Sequence, residues 1–578
     1  MKVDRPQYQR QGPPARGWRH EEAGLCGSYG IAEVVRRSWP KTLGQLGMMF
    51  LLLVGCGPAP TPETEEGLEQ ALETITADIP RSHVRFLAHD LLRGRGTGDV
   101  GFEIAREYMV AQFERIGLKP DSEGSFLQEF GVLSMGDDRG SELAAGAVRL
   151  NSRTVRFLPA FQEGGEHVWE GDAVFLGHGL YSGDRNDYAD VDVSGKAVVF
   201  LGEHPDDWPL EREPQRFAVA RAEYAMRQGA EAVVEVSRPT RPAASGESAL
   251  DAPRGAGPFA PDDGTVTSIR PHAVVGPEGS QELLAHWRID DPTEAVGGVG
   301  QLRLERRHVV DTLRSWNVVG HIEGSDPEVG HEVIVFSSHL DHVGICAPDA
   351  TGDDICNGAH DNALGTAQML AAAEIMADLQ PRRSIVFASV GAEEGGLVGS
   401  WHYVRNPRFP IEHTVANLNM DGGRMGAKTD DLIANATDFS EMEEIVAEVM
   451  EEIGVRITHG RSPAELVGLS SDHRSFLFSG VPVADLKPGY SVAGDTVVGF
   501  ADRMHYMNTR RHRPADVFDE SATFESAVEM ARRAVRIAWR LSELDDRPQL
   551  NPDHPIARPR ASPDGPYYFG HDFPRGQE

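Results

Sequence analysis

At 578 residues the chain is too long for one ordinary hydrophobic core and implies two or more domains. Apolar residues make up 40%, as in a globular protein, and 89 acidic against 56 basic residues give a formal net charge of -33. Such a charge repels phosphates and argues against nucleic acid as a partner, while solubility alone is enough to explain it.

In chain order, Arg36, Arg37 and Lys41 precede an apolar run from Leu43 to Gly55 that ends at Cys56. The run is too short to span a bilayer. A basic segment, a short apolar segment and a small residue before the cut make a secretory signal, and Leu53-Val54-Gly55-Cys56 resembles a bacterial lipobox. The expectation is a signal peptide over 1–56 and a lipid on Cys56, anchoring an exported protein at a membrane facing the periplasm or the exterior. An ordinary cleaved signal is the alternative. Residues 1 to about 35 fit neither and are consistent with a start codon placed too early. Residues 57–73, rich in Pro, Thr and Glu at first, read as a solvated tether.

From Thr74, Ile75 to Leu92 and Gly101 to Ile116 carry apolar residues at helical spacing, and Gly117-Leu118-Lys119-Pro120 ends the second helix. From Val132 the pattern changes to short β-type runs, Ala173–Leu176, Lys196–Phe200 and Ala232–Val236, which form a separate β-rich unit over 132–305. Arg238 to Pro261, poor in large apolar residues, reads as a loop or mobile lobe of that unit. After residue 306 strand-like and helical runs alternate through 546, which predicts an α/β fold with a doubly wound, mainly parallel sheet flanked by helices. The tail over 547–578, rich in Pro, Asp and Gly, reads as an extended surface segment.

Four motifs stand at or near the ends of those apolar runs: Ser338-His339-Leu340-Asp341, Gly358-Ala359-His360-Asp361-Asn362, Ala392-Glu393-Glu394-Gly395 and Asn419-Met420-Asp421. A fifth, His512-Arg513-Pro514-Ala515-Asp516, follows later. In open α/β sheets ligands bind outside the carboxyl ends of the strands, where these motifs fall. Two His and three acidic residues with a spare Glu is what a pair of zinc ions and a general base need. Each motif alone is weak; their joint placement in one strand-helix series carries the reading. Cys346 and Cys356 flank a polar loop and either pair or remain free thiols.

These residues resemble the zinc-dependent aminopeptidase family that includes aminopeptidase Y, secreted bacterial leucine aminopeptidases and glutamate carboxypeptidase. The family's patterns recur in order from about residue 75 to 545, with Ser338 in place of a usual Ala. Leu92-Arg93-Gly94-Arg95-Gly96-Thr97-Gly98 is similar to its N-terminal segment, and Asp187-Tyr188 with Asp192-Val193-Ser194-Gly195-Lys196 resembles the protease-associated domain often inserted in it. The resemblance implies a zinc exopeptidase fold with its catalytic domain over 74–131 and 306–546 and the inserted domain over 132–305.

By the same resemblance His339, Asp361 and Asp421 would hold one zinc, and Asp361, Glu394 and His512 the other, with Asp361 bridging two Zn2+ per chain. Asp341 would orient the His339 imidazole. Glu393 would take the proton of a metal-bridging water and pass it to the leaving amine of a peptide with a free N-terminus. His360 stands where an acid is frequent, and Arg511 stands where Tyr often helps the oxyanion, so Arg511 either serves there or points to solvent. His342 and the run Ser471-Asp472-His473 read as wall and supporting groups. Two further classes share the architecture: a single-zinc glutaminyl cyclase, which is an acyltransferase, and a non-catalytic receptor-like binding protein. The ligand set with Glu393 counts against the receptor, and the two-metal set and inserted unit favour hydrolysis over cyclisation. The resemblance implies a metallo-aminopeptidase rather than a dipeptidase or carboxypeptidase because that activity is commoner in the family. Residue preference and oligomeric state are not legible.

Overall fold

A computed structural model describes residues 65–552 apart from 136–139, 158–164, 183–184, 204–217, 238–258, 263–270 and 461–468. The signal and lipobox reading, Cys56 included, lies outside the described residues. The tether does not extend to 73, because Glu65–Glu73 is a helix. Leu68, Ala71 and Leu72 recur at helical spacing and are buried in the main core. Helices follow at Asp78–Leu87 and Val100–Ile116, joined by a tight turn over Asp90–Arg95.

The strands in chain order are β1 (Leu127–Met135), β2 (Glu142–Ala145), β3 (Val148–Asn151), β4 (Val155–Phe157), β5 (Gly165–Leu176), β6 (Tyr181–Ser182) and β7 (Arg185–Asn186). Then come β8 (Ala197–Leu201), β9 (Ala232–Val236), β10 (Phe259–Pro261), β11 (His272–Val275), β12 (Val296–His308) and β13 (Val310–Ile322). The last are β14 (Val333–His339), β15 (Ser384–Val390), β16 (Thr414–Asn419), β17 (Asp431–Asn435), β18 (Arg456–Thr458) and β19 (Val483–Pro488).

A nine-stranded sheet runs β10-β1-β13-β15-β14-β16-β19-β17-β18. Its centre, β15-β14-β16-β19, is parallel, as is β17-β18, whereas β10-β1, β1-β13, β13-β15 and β19-β17 are antiparallel. The sheet is therefore mixed rather than mainly parallel. The centre is buried on both faces: Ile334, Phe336, Ile385 and Phe387 pack into one core, and the alternate residues Val333, Val335, Val386 and Ala388 into another. Helices Gly365–Ala377, Met442–Glu452 and Glu525–Glu543 close the first face; Val398–Arg405 and His473–Phe478 close the second.

A separate eight-stranded sheet, β3-β2-β12-β5-β8-β9-β11-β4, has its own core around Leu143, Val199, Val234 and Leu302. It carries helices Ala218–Arg227 and Pro277–Trp287. The boundary read at 305/306 falls inside β12, which leads through Val309 straight into β13. Inside this unit Nε2 of His272 lies 2.5 Å from Oε1 of Glu235, both residues buried. The end of the 238–261 segment is not loop, since Phe259–Pro261 pairs with Val132–Ser134 at the edge of the larger sheet and the Phe259 N–H donates to the Gly395 carbonyl at 2.8 Å. The start of the C-terminal tail is pinned too: Arg547 pairs with Glu332, and the Asn551 N–H donates to the Phe439 carbonyl.

Candidate metal centre

Three neighbouring parallel strands deliver the site. β14 ends on His339, β15 is followed by Gly391-Ala392-Glu393-Glu394, and β16 is followed by Met420-Asp421. Asp361 sits in the turn that opens helix Gly365–Ala377, and His512 follows helix Thr496–Thr509. Ala392 and His512 both hold positive φ, 57° and 56°. For non-glycine residues that conformation costs energy and persists where surrounding packing enforces it, a pattern common at functional sites. Gly358 is needed in its turn, because a Cβ there would fall 2.2 Å from the Asp361 carbonyl oxygen and 2.5 Å from the His342 ring.

The five expected ligands converge. Nε2 of His339 is 3.3 Å from Asp361 Oδ1 and 3.4 Å from Asp421 Oδ1. Nε2 of His512 is 3.2 Å from Asp361 Oδ2 and 3.0 Å from Glu394 Oε2. Asp361 thus faces both imidazoles, one with each oxygen. Glu393 Oε2 lies 3.9 Å from Nε2 of His339. In each of the triads His339–Glu393–Asp421 and His339–Asp361–Glu394, one ligand atom per residue lies within 4.8 Å of the other two.

The donor chemistry fits zinc, which takes imidazole nitrogen and carboxylate oxygen. Charge makes the same point. Six buried carboxyls, Asp341, Asp361, Glu393, Glu394, Asp421 and Asp472, face the permanent cations Arg95, Lys487 and Arg511. Burial opposes charge on both histidines, yet Glu393, Asp361 and Asp421 hold the His339 imidazole well above its ordinary range. Glu394 and Asp361 raise His512 to about 9 against burial and Arg511. Burial pushes the Asp361 carboxyl upward, but hydrogen bonds from His339 and His512 hold it well below the usual range. Burial keeps the Glu393 carboxyl well above the ordinary glutamate range, against the pull of the nearby His339 imidazole. Burial likewise pushes Asp472 up to about 7. Protons on the imidazoles thus stand where divalent cations would balance the same carboxylates.

Asp341 meets His339 through its main chain rather than its carboxylate. The Nδ1 of His339 lies 3.1 Å from the Asp341 main-chain carbonyl, whereas the Asp341 carboxylate is 4.0 Å away. That carboxylate instead accepts from the backbone N–H groups of Glu393 at 3.0 Å and Glu394 at 3.3 Å. One residue therefore fixes both the imidazole and the two glutamates. His342 Nδ1 meets Glu394 Oε1 at 2.5 Å. Arg511 turns toward the site, its Nε 3.4 Å from Asp361 Oδ2.

Two supporting groups were not assigned from sequence. Asp516 accepts from the N–H of His360 at 3.0 Å and of Asp361 at 3.2 Å, meets the His360 ring at 2.8 Å and accepts from the Tyr506 hydroxyl at 3.3 Å. Its place four residues after His512 in the fifth motif was the available signal. Arg95, wholly buried, donates to the carbonyls of Leu340, Asn357 and Gly358, tying the N-terminal segment to the loops that carry His339 and Asp361. The loop between those two ligands is closed by a Cys346–Cys356 disulfide.

Residues 317–536 match the model of peptidase family M28. That segment is less than half of the 578-residue chain, and it is similar to the family along its length. A protein of Mus musculus named aminopeptidase NAALADL1 is 27% identical over 227 residues, which is 35% of this chain and 28% of that protein. Aminopeptidase YwaD of Bacillus subtilis is 28% identical over 151 residues, 24% of this chain and 33% of that protein. The match thus spans about a third or less of either relative. A solved aminopeptidase from Aneurinibacillus sp. strain AM-1 superposes with a TM-score of 0.50 at 18% identity, covering 88% of this chain and 100% of that one, a likeness of fold. The M28 segment contains every residue of the centre except those of the N-terminal clamp.

Proposed function

We propose that the protein is a two-zinc aminopeptidase that removes N-terminal residues from peptides. The observation that carries this reading is the meeting of His339, Glu394, Asp421 and His512 around the Asp361 carboxylate, whose two oxygens face one imidazole each, with Glu393 beside them. The M28 match and the relatives named aminopeptidases support it. His339, Asp361 and Asp421 would hold one ion, and Asp361, Glu394 and His512 the other. Bound there, the ions would polarise the scissile carbonyl and make water acidic enough to attack near neutral pH. Glu393, held high by burial, takes the proton and hands it to the leaving amine. Asp341 fixes the Glu393 backbone, and Arg511 faces the reacting centre as the donor to the developing oxyanion.

The eight-stranded unit between β1 and β13 is read as a protease-associated domain, and the chain as a lipid-anchored exported protein carrying its lipid on Cys56. The deciding experiment incubates the full chain, zinc-loaded or chelated, with short peptides that are N-terminally free or acetylated, and identifies products by mass. Chelator-sensitive loss of single residues from free N-termini is expected. Cleavage only of acetylated peptides would refute the aminopeptidase reading, and pyroglutamate formation would replace it with the cyclase.

A further inference from the structure

Beside the metal centre opens a cavity of about 320 Å3. It joins the site through two shared residues. Lys487 in its wall donates from Nζ to the Asp421 carbonyl at 2.7 Å, and His360 is the chain neighbour of Asp361. The wall is unlike the rest of the protein in charge. Arg424, Lys487, Arg503 and Arg510 line it against Asp502 and Asp519, whereas acids outnumber bases 89 to 56 in the whole chain. Asp502 is already engaged, its Oδ2 2.9 Å from Nη2 of Arg424. Arg510 is half-buried; its charge acts on Asp519 in the same wall, whose carboxyl is held low by hydrogen bonds from Ser521 with help from Arg510 and His360.

Two chain segments bring these cations together. Arg424 lies three residues after the ligand Asp421, and the stretch from Arg503 to Arg513 contains four arginines, two histidines and no acid. The second stretch is the end of helix Thr496–Thr509 and the turn that delivers His512. Cations therefore sit on the very loops that hold the ligands, in a chain whose net charge is -33. Arginine's planar fork suits a carboxylate in two-point geometry, and a cavity with fixed cations attracts that group in preference to its neutral isostere.

We propose that this cavity selects substrate by binding a carboxylate, supplied either by an acidic side chain at the peptide's N-terminal end or by the free C-terminus of a peptide two or three residues long. That the carrier is a peptide rests on the aminopeptidase reading; recognition of the carboxylate does not. Arg510 is the specificity-determining residue, assisted by Arg424 and Arg503. A neutral Gln in place of Glu removes the charge while keeping the shape, so kcat/KM should fall roughly tenfold or more, mainly through KM.

The test measures zinc-loaded full chain on matched pairs: Glu-Ala-amide against Gln-Ala-amide for the side chain, and Ala-Ala against Ala-Ala-amide for the C-terminus. Binding of glutamate against glutamine, and of alanine against alaninamide, is titrated calorimetrically in parallel. Preference for the charged member in either pair, reduced about tenfold in Arg510→Gln and partly restored in Arg510→Lys, supports the proposal and identifies the source. Should Arg510→Gln fail to fold, Arg503→Gln gives the same comparison. Equal handling of both pairs, or an undiminished preference in the folded variants, would overturn it while leaving the peptidase reading standing. Carboxylate-selective binding with no turnover of any peptide would instead support the pocket and refute the peptidase.

Discussion

Both β-sheet units of the molecule bury histidine against carboxylate, and they balance the charge differently. In the eight-stranded unit one pair, Glu235 with His272, stands near the fully buried Arg221, whose guanidinium is fixed by the carbonyls of Leu201 and Gly202. Acid and base there are matched within the chain. At the end of β14, β15 and β16 six carboxyls crowd two ligand imidazoles and three permanent cations. Against the three permanent cations alone, six carboxyls leave a surplus; raised imidazoles and the raised Glu393 and Asp472 carboxyls offset it here, and divalent cations on neutral imidazoles would offset it instead. A matched pair is architecture; a mismatched cluster is a site.

The largest effect should come from the one glutamate with no assigned ion. Replacing it, Glu393→Gln, should lower kcat by about 10²–10⁴ while both ions remain bound, measured by turnover alongside metal content. Unchanged turnover would make Glu393 a bystander. In the matched pair, His272→Ala strands Glu235 in the interior and should destabilise the protein by about 3 kcal/mol with zinc content unaltered, as read by denaturant unfolding. A loss of zinc in that variant would dissolve the distinction between the two regions.

Smaller effects sharpen the contrast. Asp341→Asn weakens the acceptor that holds Glu393 and Glu394 in place and should cost roughly tenfold in zinc affinity, measured by competition with a chelating dye. The smallest concerns Glu332, a matched acid far from the centre. Burial pushes its carboxyl up, but hydrogen bonds from Arg547 and Arg383 prevail and hold it below 4.5. A depressed folded-state value means its stabilisation is complete above the unfolded value and is lost as pH falls through the folded one. Glu332→Gln should therefore lower the thermal midpoint at pH 7 and leave it nearly unchanged at the acid end.

The metal centre was legible because each ligand except His512 sits at or near a strand end or in a helix-opening turn, where an apolar run followed by His, Asp or Glu marks its place locally. His512 was found only through the family pattern. Roles that depend on distant pairing were not legible. Asp516 acts on Asp361, 155 residues away, and Arg95 acts on carbonyls about 245 to 263 residues away. The antiparallel edge of the nine-stranded sheet escaped for the same reason, since β1 meets β13 only after the whole eight-stranded unit has intervened. Asp341 shows a finer limit. Sequence indicates that the residue supports His339, but only geometry reveals that its carbonyl serves the histidine and its carboxylate serves the glutamates.

The most direct measurement is an equilibrium zinc titration of the metal-stripped full chain, with metal per chain counted by mass spectrometry. The account predicts two ions per wild-type chain, and fewer in Asp361→Ala, which removes the carboxylate shared by both imidazoles. One ion per wild-type chain, or none, would contradict the claim that the carboxylate surplus exists to hold a pair of cations.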